Sequence, residues 1–94
     1  ERLAGPTGAA APDVAQQTRE ALTRVDSLLE KAGSDRSRIL SALIHLRDMR
    51  DFSAMNEVWE SWIPFGMAPA RTTVEARLAD AELLFEVTIT AAEV

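Results

Sequence analysis

One long amphipathic segment constrains the fold of this chain more than any other feature. Asp13, followed three residues later by Gln16, predicts a capped helix start, and Gly33 predicts a left-handed helix end. Between them, apolar or small residues recur at helical spacing and form one stripe: Val14, Thr18, Ala21, Leu22, Val25, Leu28, Leu29 and Ala32. The polar residues Gln17, Arg19, Glu20, Arg24 and Glu30 are assigned mostly to the other side. A helix with a single apolar stripe needs a core to cover it, so we expect a packed globular domain.

Composition narrows the class of protein. The 94 residues predict one domain, 1–94, and the absence of cysteine excludes disulfides, thiolate catalysis and cysteine-ligated zinc. Fifteen acidic residues against ten scattered basic ones argue against a nucleic-acid surface. No apolar run approaches the ~18 residues of a membrane span, and the start lacks a signal-peptide pattern, so we expect a cytoplasmic protein without membrane or nucleic-acid partners. A domain this small is expected to gain stability by oligomerisation.

The remaining segments predict one further helix and several strands. Residues 1–5 have the pattern of a strand end, followed by a loop that is rich in glycine, alanine and proline. Residues 38–47 are almost continuously apolar, which is typical of a strand covered on both faces. A second helix is expected from Phe52 to about Trp62, with Asp51 as its N-cap. Strands are expected at 71–78 and 83–92, and the tight polar connection between them favours an antiparallel hairpin.

This order of elements predicts an α+β fold, a small mixed or antiparallel sheet with two helices on one face. In the last strand, residues alternate between an apolar face and a face that carries Glu86 among leucine and threonine residues. The second face is too mixed for a core and too apolar for open water. We therefore expect it to be a subunit interface.

Several polar residues are candidates for a site. Arg71 lies near the start of a strand, where a guanidinium is either a solvated edge charge or a bidentate clamp for a carboxylate. Glu86 in a strand interior needs a role or a partner. His45 is the only histidine, so a partly buried structural role is favoured over a metal site, and no metal ligand set is predicted. Asn56 either serves a site or faces water.

Taken together and in order, the motifs resemble those of the reactive intermediate deaminase family, the YjgF-like proteins. The resemblance implies a chorismate-mutase-like domain assembled as a homotrimer, with the sheets facing inward and ligand clefts between subunits. It also implies that the family's first strand and most of its second are missing before Glu1. The motifs that carry it are Leu3-Ala4-Gly5, Gln17-Thr18, Leu22, Val25-Asp26-Ser27-Leu28-Leu29, Ala32-Gly33-Ser34, Ile44-His45-Leu46-Arg47-Asp48-Met49, Asp51-Phe52-Ser53-Ala54-Met55-Asn56, Trp59, Pro69-Ala70-Arg71, Val74-Glu75 and Phe85-Glu86-Val87.

The same resemblance implies an activity and a set of site residues. Characterised members hydrolyse 2-imino acids and their enamine tautomers to 2-keto acids and ammonia, without a cofactor. Arg71 matches the arginine that holds the substrate carboxylate, and Glu86 matches the glutamate that positions or activates water. The matching substrate-contact positions are Asn56, Thr73, Ala4 and Gly5.

This chain departs from the family pattern at three positions of the expected site. Thr73 stands where many imine-hydrolysing members have cysteine, and Ala4 and Pro6 stand where serine and glutamine are common. These departures leave open a non-catalytic member that binds a small carboxylic acid in the same cleft, or a regulatory member. An endoribonuclease or translation inhibitor is a third alternative, and the acidic balance counts against it.

Overall fold

The computed structural model describes the backbone of Arg2–Ala4 and all of residues 13–92; the loop expected between these ranges lies outside the described residues. Short 3-10 turns lie at Arg36–Arg38 and Met49–Asp51. Two helices pack on one face of a mixed sheet, so the predicted α+β class is confirmed. The elements in chain order are β1 (Arg2–Ala4), α1 (Val14–Lys31), β2 (Ile39–Leu46), α2 (Phe52–Trp62), β3 (Ala70–Glu75) and β4 (Phe85–Ala91).

The four described strands form one sheet in the order β1-β4-β2-β3. Strand β3 runs parallel to β2, whereas β4 runs antiparallel to both β1 and β2. The predicted hairpin between the last two strands is therefore wrong, because β2 lies between them. Residues 76–84 are a packed connection rather than a tight turn: Leu78 and Leu83 are buried, and Arg47 donates to the carbonyl oxygens of Leu83 and Asp80.

Helix α1 begins and ends as the sequence predicts. The Asp13 carboxylate accepts a hydrogen bond from the Gln16 amide at 2.9 Å, and Gly33 has a φ of 74°, in the left-handed region that favours glycine. The apolar stripe is buried, except that Leu28 is half-buried and Ala32 is exposed. The predicted position of Gln17 on the polar side is wrong, since Gln17 is fully buried. Its side-chain amide donates to the Glu82 carbonyl oxygen at 3.0 Å and accepts from the Leu84 amide at 2.8 Å.

Helix α2 has the predicted bounds, but its predicted cap is not formed. Asp51 occupies the N-cap position without a side-chain hydrogen bond to the helix. Instead, the Asp48 carboxylate accepts from the Arg50 amide at 2.9 Å and caps the 3-10 turn that leads into the helix. Trp59 and Trp62 are both buried, with their ring centroids 5.6 Å apart.

The two faces of the sheet differ in what covers them. The side chains of Ala42, Ile44 and Leu46 are buried against the helices, and we call this side the helix face. On the other side, the open face, Leu43 and His45 are only half-buried. A single chain thus covers β2 on one face, where the sequence predicted both. No helix in the described ranges, 2–4 and 13–92, has the length and apolar character needed to cross a bilayer.

Candidate functional site

Arg71 is the second residue of β3 and projects on the helix face, because it pairs in register with the buried Ala42. Helix α2 holds its guanidinium. Nη1 donates to Asn56 Oδ1 at 2.5 Å, and Cζ lies 5.5 Å from the centroid of the Phe52 ring and 5.8 Å from that of Trp59. Contacts of this kind orient a planar cation while leaving its remaining donors available.

The charge of Arg71 has no counterion in the described part of the chain. No carboxylate there pairs with it, and Asn56 is the only hydrogen-bond acceptor that it contacts. A half-buried guanidinium is normally paired with an anion, because burial removes part of its hydration. The guanidinium can therefore bind an anionic ligand, and the assignment of Arg71 to a substrate carboxylate stays a prediction.

A cavity of about 480 Å³ opens beside Arg71. It lies between the end of α2, the following loop and the start of β3, and most of the side chains that line it are apolar. Glu60 is the one carboxylate in this wall, and it accepts a hydrogen bond at 3.0 Å from the same Asn56 side chain that holds Arg71. The lining residues are Trp59, Glu60, Ile63, Pro64, Phe65, Gly66, Ala68, Pro69 and Arg71.

Thr73 lies on the same face of β3 as Arg71, since two residues separate them and Thr73 pairs with the buried Ile44. Its hydroxyl is buried and has no hydrogen-bond partner in the described part of the chain. Thr73 does not line the cavity. Its assignment as a substrate contact stays a prediction.

Glu86 lies on the open face, directly opposite His45 in the β2–β4 register. His45 Nδ1 is 3.4 Å from Glu86 Oε1, and their side chains are only 19% and 16% exposed. The two side chains are close neighbours, although Nδ1 makes no hydrogen bond of good geometry. Neither residue by itself indicates this pairing in the sequence, because the pairing depends on the antiparallel register of β2 and β4.

The structure brings together some of the predicted site residues and separates others. Arg71 and Asn56 are in contact, whereas Glu86 lies on the opposite face of the same sheet. Ala4 pairs with Glu86 in the β1–β4 register, at the sheet edge farthest from β3. Gly5 lies outside the described residues. Within residues 13–92, no three histidine or carboxylate side chains are grouped to hold a metal ion.

A second charged cluster, which the sequence analysis missed, anchors the end of α2 behind the cavity. The Asp26 carboxylate accepts from Arg36 Nε and Nη2, both at 2.7 Å, and from Trp62 Nε1 at 3.1 Å. Arg36 Nη1 also donates to the Trp62 carbonyl oxygen at 2.9 Å. The hydrogen bonds to Asp26 raise the pKa of Arg36, which stays charged at any working pH. This cluster fixes the end of α2, from which the loop that lines the cavity continues.

Comparisons with known proteins agree with this architecture. Residues 4–93 match the family model described as endoribonuclease L-PSP. The chain is 45% identical over 80 residues to the RutC family protein YoaB of Escherichia coli K12, which covers 85% of this chain and 70% of that protein.

Solved structures give the same result. A YjgF family member from Neisseria meningitidis superposes with a TM-score of 0.89 at 42% identity, covering 97% of this chain and 75% of the other. The Rid family protein YyfA from Yersinia pestis gives a TM-score of 0.79 at 28% identity over 84% of this chain and 63% of the other. Because the family model matches nearly the whole chain and the identities are high, the chain belongs to the endoribonuclease L-PSP family, the family of the YjgF and Rid proteins.

Proposed function

We propose that this protein hydrolyses reactive 2-imino or 2-enamino acids to 2-keto acids and ammonia, without a cofactor. The observation that carries the proposal is Arg71, a half-buried guanidinium with no counterion in the described part of the chain, at the mouth of the cavity. A substrate carboxylate is the natural occupant of this position, because its two oxygens match the guanidinium fork.

Glu86 is the proposed general base. The imine carbon is electrophilic, so its hydrolysis needs an oriented substrate and a placed water more than a strong nucleophile. As the water oxygen forms its bond to that carbon, the Glu86 carboxylate takes a proton from the water. The C=N π electrons pass to the nitrogen of the protonated imine, which gives a neutral carbinolamine. The Glu86 carboxyl group then protonates this nitrogen, the C–N bond breaks as ammonia leaves, and the hydroxyl oxygen becomes the carbonyl as its proton returns to the Glu86 carboxylate.

Both residues can serve one site only if a second chain supplies one of them. Arg71 lies on β3, an edge strand of the described sheet, where another subunit can approach. Glu86 lies on the open face, beside residues that one chain leaves only half-buried. We therefore propose a homotrimer in which the open faces point inward and Arg71 of one subunit meets Glu86 of the next.

The direct test generates 2-imino acids in situ with an amino-acid oxidase and follows keto-acid and ammonia release. We expect Arg71→Ala to lower kcat/KM about 100-fold, because the substrate loses its orientation. Arg71→Lys should recover only part of this loss, since an ammonium cannot bind a carboxylate in bidentate fashion. The control is Arg50→Ala, which removes an 83% exposed arginine outside the cavity. Full activity in Arg71→Ala would eliminate the clamp.

The second candidate function is binding of a small carboxylic acid without turnover. Thr73 favours this alternative, because it stands where related enzymes often have cysteine. Its hydroxyl is buried, and Thr73 does not line the cavity. The discriminating result is calorimetric binding of a 2-keto acid, abolished in Arg71→Ala, by a protein that does not accelerate imine hydrolysis.

A further inference from the structure

We propose that Glu60 determines which substrates enter the Arg71 cavity: it admits 2-imino acids with an apolar side chain and rejects those with a second carboxylate. This inference rests on the proposed function, because it assumes that Arg71 binds the substrate's own carboxylate. Glu60 is then the part of the site that recognises the substrate's side chain.

The Asn56 side chain fixes the relation between the two charges. Its Oδ1 accepts from Arg71 Nη1 at 2.5 Å, and its Nδ2 donates to Glu60 Oε1 at 3.0 Å. One amide group thus spans the gap between guanidinium and carboxylate and holds both at the same cavity. A ligand whose carboxylate contacts Arg71 must extend its side chain past Glu60 or along the apolar wall.

The other side chains that line the cavity carry no charge. Trp59 is buried, and beside it lie Ile63, Pro64 and Phe65, whose side chains are apolar. Apart from Arg71, the lining contains no basic residue that could neutralise a second carboxylate. An apolar side chain gains from contact with this wall, whereas a distal carboxylate meets Glu60 as a like charge.

The size of this repulsion is modest, because the cavity is open to water. Two unit charges about 4 Å apart in a water-like medium interact by an energy that corresponds to about a fivefold change in affinity. We therefore expect Glu60 to lower the affinity of a dicarboxylic ligand about fivefold, and added salt to weaken the effect.

The experiment measures calorimetric affinities of two 2-keto acids of similar size, 4-methyl-2-oxopentanoate and 2-oxoglutarate. Wild type should bind the first at least tenfold more tightly. Glu60→Gln keeps the acceptor for Asn56 and removes the charge, so it should raise the affinity for 2-oxoglutarate about fivefold relative to the affinity for 4-methyl-2-oxopentanoate. Glu57→Gln is the matched control: Glu57 is an exposed residue of the same helix that does not line the cavity, and both affinities should stay at wild-type values.

The outcomes separate this inference from the proposed function. If wild type binds 4-methyl-2-oxopentanoate in an Arg71-dependent way but Glu60→Gln leaves the affinity ratio unchanged, the role of Glu60 is wrong and the clamp stands. An equal gain in Glu57→Gln would also overturn it, because the effect would then be one of net charge. If neither keto acid binds to wild type, the clamp and the inference fail together.

Discussion

Arg71 and Glu86 lie on opposite faces of one sheet, Arg71 against helix α2 and Glu86 beside His45 on the open face. No movement of side chains within one chain brings them to the same ligand. A site that uses both must therefore lie between subunits, and this makes the assembly testable by complementation.

Mixing two inactive variants should restore activity if the site is shared. We expect Arg71→Ala and Glu86→Gln each to be nearly inactive as a pure oligomer. After joint unfolding and refolding of an equal mixture, about a quarter of the sites in a closed ring combine an intact arginine with an intact glutamate. Imine hydrolysis at about a quarter of the wild-type rate is the expected reading. Activity no higher than that of the separate variants, in an oligomer shown by native mass spectrometry to be mixed, would contradict a shared site.

Asn56 keeps Arg71 oriented without neutralising its charge. This predicts the effect of replacing the Asn56 amide by a carboxylate of nearly the same shape. Asn56→Asp places a carboxylate against the guanidinium, where it competes with the ligand as an internal counterion. We expect binding of 4-methyl-2-oxopentanoate to weaken about tenfold in Asn56→Asp and only about threefold in Asn56→Ala, as measured by calorimetry. Equal losses in the two variants would mean that Asn56 acts by shape rather than by its neutrality.

Gln17 is fully buried and connects α1 to the segment before β4 through the backbone of Glu82 and Leu84. Gln17→Leu leaves a backbone carbonyl and a backbone amide without their partner, so we expect a loss of about 2 kcal/mol in the free energy of unfolding. The control is Gln16→Ala at the neighbouring position, where the side-chain bonds are near the surface and the change should stay within about 0.5 kcal/mol. Urea unfolding at one fixed protein concentration measures both, and equal midpoints would refute the bridging role.

Gln17 also illustrates what a sequence can and cannot predict in this fold. Periodicity predicts both helices, and the bounds of α2 at Phe52 and Trp62, because helical spacing is a local property. Gln17 was assigned to the outer side because polar residues usually face water. Its partners lie near the other end of the chain, and no local pattern contains them.

The predicted pairing of the last two strands is wrong for a related reason. Adjacent strands in sequence suggested a hairpin, but β2, α2 and β3 form a strand–helix–strand unit, in which two parallel strands pair and the helix covers them. The same topology explains the site. Arg71 and Asn56 were singled out from the sequence, but their contact depends on α2 packing over β3. The His45–Glu86 pair depends on the β2–β4 register, which a hairpin between β3 and β4 would not produce.

The carboxyl group of Asp35 makes the stability of the turn before β2 depend on pH. Hydrogen bonds from the Ser37 hydroxyl and the Ser37 amide lower the pKa of this carboxyl below its ordinary value of 3.8. Because the folded-state pKa is the lower one, these bonds stabilise the fold above that value, and the stabilisation is lost as pH falls through the folded-state pKa. Ser37→Ala removes the hydroxyl and keeps the amide, so the pKa of Asp35 should rise part of the way. Carboxylate NMR titration measures this, and an unchanged pKa would contradict the role of the hydroxyl.

His45 is positioned to orient the proposed base, since its Nδ1 lies 3.4 Å from Glu86 Oε1 in a region where both side chains are less than one-fifth exposed. His45→Leu removes this polar neighbour and so one of the contacts that orient the carboxylate. We expect kcat for imine hydrolysis to fall about tenfold while KM stays within about twofold, because substrate binding depends on Arg71 rather than on Glu86.

His45→Asn is the matched variant, because its side-chain amide can place an N–H near the position of Nδ1. It should keep kcat within about threefold of wild type, and light scattering should show the same oligomer for both variants. A purely structural histidine would give the reverse order, with the apolar leucine tolerated at least as well as the polar asparagine. That order of rates, in variants of equal thermal stability, would remove His45 from the site and leave Glu86 to be positioned by other residues.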